Sequence, residues 1–308
     1  EQTMLFLNRR GYAGFVSCRA CGHVMKCPHC DVSLSEHNGS RLICHYCGYE
    51  TVKPQVCPSC GSPHIGGFKA GTQQIEKVLE KDFPEARVLR MDFDTTRTKD
   101  SYEKILASFS RHEADILVGT QMIVKGHDFP DVTLVGVIAA DLSLNMDDYH
   151  CGERTFQLLT QAVGRAGRGA KPGRAVIQTY QPEHYSIQAA ATQDYGKFYK
   201  EEMSYRMLMD YPPAAHMMTV FGACQDEELL KKAMYYIEVF IRRVSPKEEL
   251  HMIGPAAASV GKVKDVYRQV LHLKHVDMVF LTAVREKLEQ YIEINSGFRK
   301  IYIQFDMS

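Results

Sequence analysis

Eight cysteines in four Cys-x-x-Cys pairs, all between residues 18 and 60, constrain this chain more than any other feature. The pairs are Cys18/Cys21, Cys27/Cys30, Cys44/Cys47 and Cys57/Cys60. Zinc takes four ligands in a tetrahedron, and two residues between cysteines let one tight turn supply two thiolates. Eight such thiolates specify two closed sites of four cysteines each, and knuckles at this spacing hold metal far more often than they form disulfides. The expected setting is therefore a reducing one. The segment 14–65 is expected to be a small domain held by two Zn2+ ions rather than by a large apolar core. With every coordination position taken by sulfur, neither ion can activate a water, so both sites are structural.

Four knuckles can pair in three ways. Residues 31–43 read as a strand with Val32 and Leu34, a turn at Asn38-Gly39, and a strand with Leu42 and Ile43. Asn-Gly is the strongest two-residue hairpin signal, and a hairpin brings its ends together. This favours one zinc on Cys27, Cys30, Cys44 and Cys47, and the other on Cys18, Cys21, Cys57 and Cys60. The nested order also returns the chain beside its entry point, as an inserted domain requires. Sequential and interleaved pairings are the alternatives. His23, His29 and His45 stand nearby, but the cysteines already fill both shells, so the histidines are expected to be non-ligands.

The 37 basic and 37 acidic residues cancel, which argues against a uniformly basic nucleic-acid binder. Zinc loading would take the chain to about −4, from eight thiolates and two divalent ions. Local patches remain at Arg9-Arg10, Arg242-Arg243 and Lys262/Lys264/Arg268. No apolar run reaches the length of a membrane span and no signal peptide is present, so a cytoplasmic location without membrane contact is expected. A strand-like run at 4–7 follows the first three residues directly. The chain is therefore expected to be a piece of a longer protein.

Residues 66–205, together with 1–13, alternate between strand and helix patterns. Helices are predicted over 72–83 (Ile75, Val78 and Leu79 inward), 98–111 (Tyr102, Ile105, Leu106 and Phe109 inward) and 149–163. Strands are predicted over 87–91, 115–118, 133–140 and 174–180. Their near-continuous Val, Ile and Leu runs suit strands buried on both faces, hence a mostly parallel sheet between helices. After the break at Tyr211-Pro212-Pro213, residues 206–308 read differently. They give strand 217–224, helix 226–244, strands 250–253 and 266–273, helix 277–292 and strand 300–305. That order is βαββαβ, an α+β sandwich, with a basic loop over 259–265.

Two stretches carry chemistry. Strand 115–118 ends in Gly119-Thr120-Gln121, whose amides and hydroxyl suit a phosphate. Gly126 allows close approach and Asp128 can accept from a ribose hydroxyl. Further on, Gln161-Ala162-Val163-Gly164-Arg165-Ala166-Gly167-Arg168 ends a helix. Its two arginines are expected on one helical face, a pair of permanently charged forks suited to a polyphosphate. The plain alternative is a surface helix end, where Arg and Gly are common as charge and cap. No G-x-x-x-x-G-K-[ST] phosphate loop occurs in the chain. Asp226-Glu227 reads as a helix cap with an acidic first turn, not as a Mg2+ carboxylate pair.

The run NRRGYA, the four knuckles, GTQQIEKVL, ILVGTQMIVKGHDFPDVTLV and ERTFQLLTQAVGRAGR follow one another in this order. Together they resemble the second half of a superfamily 2 helicase. More narrowly, they resemble the primosomal N′ family of replication-restart DNA helicases, and the likeness covers essentially the whole chain. The resemblance implies a RecA-like second motor lobe with an inserted double zinc ribbon. It implies that Gln161, Arg165 and Arg168 face ATP and Mg2+ held by a missing first lobe, with Arg168 as arginine finger. Gly126 and Asp128 would couple nucleotide to DNA, and Thr120 would touch the DNA backbone. Gln121, Lys125, Arg9 and Arg10 are further DNA candidates, as are Lys262, Lys264 and Arg268 in the C-terminal domain. Implied partners are forked or branched DNA, the single-strand-binding protein and other primosome proteins in a bacterial nucleoid, with 3′ to 5′ movement. This chain alone is expected to be inactive. It departs from the family at Ala162-Val163, where Val-Ala is common, and in a C-terminal loop poorer in Arg. The rival readings are a non-catalytic zinc-ribbon scaffold and a superfamily 2 enzyme acting on RNA.

Overall fold

The computed structural model describes residues 1–7, 16–37, 41–67, 71–96, 98–123, 128–144, 148–245 and 250–308. After β1 (Gln2–Leu7) come five short strands: β2 (Val16–Cys18), β3 (Ser35–His37), β4 (Arg41–Ile43), β5 (Glu50–Val52) and β6 (Ile65–Gly67). Then follow α1 (Thr72–Asp82), β7 (Val88–Met91), α2 (Lys99–Ser110), β8 (Ile116–Gly119), β9 (Val132–Ile138), α3 (Cys151–Val163) and β10 (Arg174–Ile177). Helices α4 (Tyr185–Thr192) and α5 (Tyr195–Leu208) lead to β11 (His216–Cys224), α6 (Glu227–Val244), β12 (His251–Val263), β13 (Val266–His275), α7 (Met278–Ile294) and β14 (Tyr302–Met307). These elements gather into two compact units, Glu1–Tyr12 with Lys69–Glu202, and Ala13–Phe68 with Met203–Ser308.

The first unit is built on a five-stranded sheet in the order β10-β9-β1-β8-β7, with every pairing parallel. Side chains alternate across the pleat, so each strand feeds two cores. Met4, Phe6 and Leu117 enter the larger core, with Phe109 of α2, Phe156 and Leu159 of α3, Ile187 of α4 and Phe198 of α5. Leu5, Ile116 and Val118 face the other way, against Ile75 and Leu79 of α1. The expected parallel sheet with both faces covered is what the chain forms. Helices α4 and α5 lie where the sequence offered no helical stripe. In α5 the buried positions are Phe198, Glu202 and Arg206, two of them charged, while Tyr195 and Tyr199 are exposed, so no apolar stripe marks it.

In the second unit, the C-terminal residues form an antiparallel sheet in the order β12-β13-β11-β14. Leu230, Met234 and Ile237 of α6 and Leu281, Val284 and Leu288 of α7 pack with Met218, Val220, Leu271 and Leu273 of the sheet. This is the βαββαβ order. Asp226 caps α6, accepting from the Leu229 amide at 3.0 Å, and Asp277 caps α7, accepting from the Val279 amide at 2.8 Å. The predicted loop over 259–265 is corrected. β12 runs on to Val263, and its pairing with β13 shifts register between Ala257 and Lys262. The stretch is a long hairpin arm, which Ala-, Ser- and Gly-rich residues without apolar alternation do not announce.

The cysteine-rich segment contributes β2 paired with β6 and a small β3-β4-β5 sheet. Ser35 lies opposite Ile43 in the β3–β4 hairpin. The predicted Asn38-Gly39 turn falls outside the described residues.

Candidate motor site and metal centres

The eight thiols gather as Cys18, Cys21, Cys57 and Cys60, and as Cys27, Cys30, Cys44 and Cys47, with all Sγ atoms in a group within 4.8 Å. A tetrahedral ion with Zn–S near 2.3 Å sets its sulfurs about 3.8 Å apart. The Sγ···Sγ distances are 3.6 Å for Cys18–Cys60, 3.7 Å for Cys21–Cys57 and 3.6 Å for Cys27–Cys47. Each tetrad therefore fits one structural zinc, and both are made of cysteine alone.

Three knuckles share one local form, because a glycine follows the second cysteine. Gly22, Gly48 and Gly61 have φ of 75°, 80° and 72°, a region side chains disfavour. Each returns its amide to the carbonyl of the first cysteine, at 3.0, 2.9 and 2.9 Å. Amides also point at sulfur, from Ala20 to Cys18, Tyr49 to Cys47 and Ser59 to Cys57, each at 3.4 Å. These N–H dipoles favour thiolate over thiol. Burial pushes the Cys27 thiol up to about 12. At Cys44 burial acts in the same sense, but the amides of Cys47 and Tyr46 outweigh it and the thiol lies at about 7.

The topology of the first unit positions the other candidates. β8 and β9 both run parallel to β1, so the chain from Gly119 to Val132 must cross from the carboxyl edge of the sheet to its amino edge. Thr120, half-buried, stands at the start of this crossover, and Asp128, exposed, stands near its end. Gln121, expected on DNA, is only 9% exposed and so faces the protein. Lys125 and Gly126 lie outside the described residues, as do Arg9 and Arg10.

The arginines are not on a helical face. α3 stops at Val163, and Gly164 begins a tight turn in which Arg165 and Ala166 donate to the carbonyls of Ala162 and Val163, at 3.1 and 3.2 Å. The turn packs on the amino edge of the sheet, where the Gly167 amide donates to the Val132 carbonyl at 2.9 Å. A Cβ on Gly167, at φ 72°, would lie 2.4 Å from the Gly173 nitrogen, and one on Gly169 would lie 2.3 Å from the Pro130 carbonyl oxygen. The glycines thus admit the chain's own backbone. Arg168 donates from Nε to the Gly164 carbonyl at 2.7 Å and from Nη1 to Asp128 Oδ1 at 3.2 Å. Arg165 is half-buried; burial first, then the Arg168 charge, press its guanidinium pKa down. Gln161 is exposed on the last turn of α3.

Two carboxylates that the sequence reading did not single out hold the carboxyl edge. Asp92, just after β7, accepts from Thr72 Oγ1 at 2.5 Å. Asp141 accepts from Thr179 Oγ1 at 2.6 Å and from the Tyr180 amide at 3.0 Å. In both, burial works against the charge but these hydrogen bonds outweigh it, so the carboxyls lie below their usual range. An acid at or within three residues of a strand's carboxyl end was the available signal.

The C-terminal basic residues divide. Lys262 is committed, with Nζ 3.1 Å from Asp265 Oδ1 and 3.2 Å from the Pro28 carbonyl oxygen. Lys264 is exposed, and Arg268 is half-buried on β13 opposite Ala223. Among the described residues no helix is long and apolar enough to cross a membrane.

Comparison with known proteins points one way. The PriA DNA helicase Cys-rich region domain matches residues 27–51, and the helicase conserved C-terminal domain matches residues 67–170. The replication restart protein PriA of Bacillus subtilis is 46% identical over 310 residues, covering 100% of this chain and 38% of that protein. PriA of Synechocystis is 44% identical, covering 94% of this chain and 35% of that protein. The chain thus spans less than half the length of these relatives. Among solved structures, the C-terminal domain of the DEAD-box protein Dbp5 is similar at 17% identity. That match covers 43% of this chain and 77% of that chain, with a TM-score of 0.29.

Proposed function

Because this chain belongs to the PriA replication-restart family, we propose that it supplies the second motor lobe, zinc ribbon and C-terminal domain of an ATP-dependent 3′ to 5′ DNA helicase. In this reading residues 1–13 and 66–205 are the motor lobe, 14–65 the zinc domain and 206–308 the C-terminal domain. The observation that carries it is where the described ends of the stretch 120–128 stand. Thr120 follows the carboxyl end of β8, and Asp128 meets Arg168 of the turn at the amino edge.

The mechanism follows from that connection. ATP and its Mg2+ would be held by a first lobe that supplies the phosphate loop. As the cleft closes, Arg168 leaves Asp128 and sets its guanidinium against the γ-phosphate, with Arg165 and Gln161 beside it. There a fork that is always protonated would stabilise the negative charge on the γ-phosphoryl oxygens as that group passes from the leaving ADP oxygen to water. Asp128, released, shifts the crossover, and the far end of the crossover moves Thr120 along the DNA backbone. Gly126 and Lys125 lie between these ends in sequence. The zinc ions, when bound, supply cross-links that hold the ribbon folded and take no part in hydrolysis. Forked or branched DNA, single-strand-binding protein and primosome proteins in the bacterial cytoplasm are the partners of this reading.

The test is Arg168→Ala in a full-length protein that carries this chain. Steady-state ATP turnover should fall by about 10³–10⁵, with DNA binding and zinc content retained. Retained turnover would remove the arginine-finger assignment.

A further inference from the structure

The fourth knuckle, Cys27-Pro28-His29-Cys30, has Asp31 where the other three have glycine. It lacks the local turn that finishes them. What stands there instead comes from the other end of the chain, within the same compact unit. The Asp31 amide donates to the Lys262 carbonyl at 2.8 Å, and the Asp265 amide donates to the His29 carbonyl at 2.9 Å. Between them the Lys264 amide points at Cys30 Sγ, at 3.3 Å. His29 Nδ1 meets Asp265 Oδ2 at 2.7 Å. Val263 is buried in the ribbon core with Val16, Met25, Leu34 and Leu42.

The hairpin tip is shaped for this contact. Lys264 and Asp265 have φ of 52° and 61°, both in the left-handed region. A two-residue hairpin turn of this kind ordinarily takes Asn-Gly, and lysine is a poor choice for it. A conformation its own residues disfavour persists where the surroundings over-determine it. Here the surroundings are the knuckle's backbone and a zinc ligand.

We propose that the β12–β13 tip is the missing wall of the Cys27/Cys30/Cys44/Cys47 centre, so that this zinc latches the C-terminal sheet to the ribbon while the Cys18/Cys21/Cys57/Cys60 zinc does not. The Lys264 amide acts as an outer donor to the Cys30 thiolate, and Lys262, Asp265 and His29 position it. Lys262 then belongs to this latch rather than to a DNA surface. The proposal is independent of the motor reading.

The test is amide hydrogen exchange on the zinc-loaded chain, with metal content measured alongside. Cys47→Ser, which empties the second centre, should raise exchange at Lys264 and Asp265 at least tenfold while β11 and β14 stay protected. Cys60→Ser, which empties the first centre, should leave the tip unchanged. Equal effects from both variants, or none from Cys47→Ser, would overturn the latch. A second arm leaves every cysteine in place. Lys262→Ala with Asp265→Ala should speed release of one of the two zinc ions to a competing chelator, by about 10- to 100-fold. Unchanged release of both ions, or equal acceleration of both, would also overturn it.

Discussion

Asp128 Oδ1 accepts from Arg168 Nη1 at 3.2 Å, joining the crossover after β8 to the turn after α3. The two side chains are 68% and 42% exposed, so the pair adds little to folding stability. A weak, wet contact between two segments of one compact unit suits the parking and release that the proposed motor requires. Asp128→Ala should change the unfolding free energy by no more than about 0.5 kcal/mol. In the full-length protein it should separate the two activities, leaving ATP turnover without DNA and reducing its stimulation by DNA. Paired turnover assays with and without a forked duplex measure this. Undiminished stimulation would detach Asp128 from coupling.

Much of this was legible because the chemistry imposed fixed spacings. Four Cys-x-x-Cys pairs allow few arrangements, and buried parallel strands write Val, Ile and Leu in runs. The arginine turn was harder. Leu159, Ala162 and Ala166 keep helical spacing past the helix end at Val163, which hides the turn that Gly164 begins and Gly167 continues at positive φ. The Lys262–Asp265 tip resembles a basic loop in sequence because its partners, Pro28 and His29, lie more than two hundred residues earlier. Gln121 looked polar and available, yet the turn after β8 folds it inward. A residue's neighbours in space decide such cases, and one sequence does not name them.

Metal analysis should find two zinc ions per chain, held by the two tetrads. Cys27→Ser should leave one, since Cys18, Cys21, Cys57 and Cys60 share no ligand with it. Exhaustive chelation should unfold the ribbon, whose short strands enclose a small core. The five-stranded sheet belongs to the other compact unit and should keep its far-ultraviolet signature. A single ion in the untreated chain, or loss of both in Cys27→Ser, would break the assignment of independent centres.

Arg87 and Asp115 close the amino ends of β7 and β8. Nε and Nη2 of Arg87 reach the two carboxylate oxygens at 3.0 and 2.9 Å, and the Arg87 amide adds a third bond at 2.9 Å. These bonds, the guanidinium first, hold the Asp115 carboxyl at about 2. Its folded pKa lies below the unfolded value of about 3.9, so the stability it contributes is present above that value. It is lost as the pH falls from about 4 through 2. Carboxyl NMR titration should place Asp115 near the lower limit in the native chain and return it toward about 4 in Arg87→Leu. An unchanged titration in Arg87→Leu would show that the guanidinium is not the cause.

Gly173 decides whether the arginine turn can close. A Cβ there would lie 2.2 Å from the Gly167 nitrogen and 2.3 Å from the Ala166 carbonyl carbon. Both are backbone atoms, and the Gly167 amide is tied to Val132 at 2.9 Å, so neither side yields cheaply. Gly173→Ala should therefore push the turn off the sheet edge at a cost of about 1–3 kcal/mol or more. Because Arg168 hangs from that turn, ATP turnover of the full-length protein should fall with it, although no charged group has been touched. Gly297 offers the contrast, since nothing lies within 4 Å of a Cβ built there. Gly297→Ala should be nearly silent. Urea unfolding monitored in the first unit for Gly173→Ala and in the second for Gly297→Ala, beside turnover, separates the outcomes. A Gly173→Ala protein with native midpoint and native turnover would mean that the close backbone contact between Gly167 and Gly173 does not hold the arginines in place.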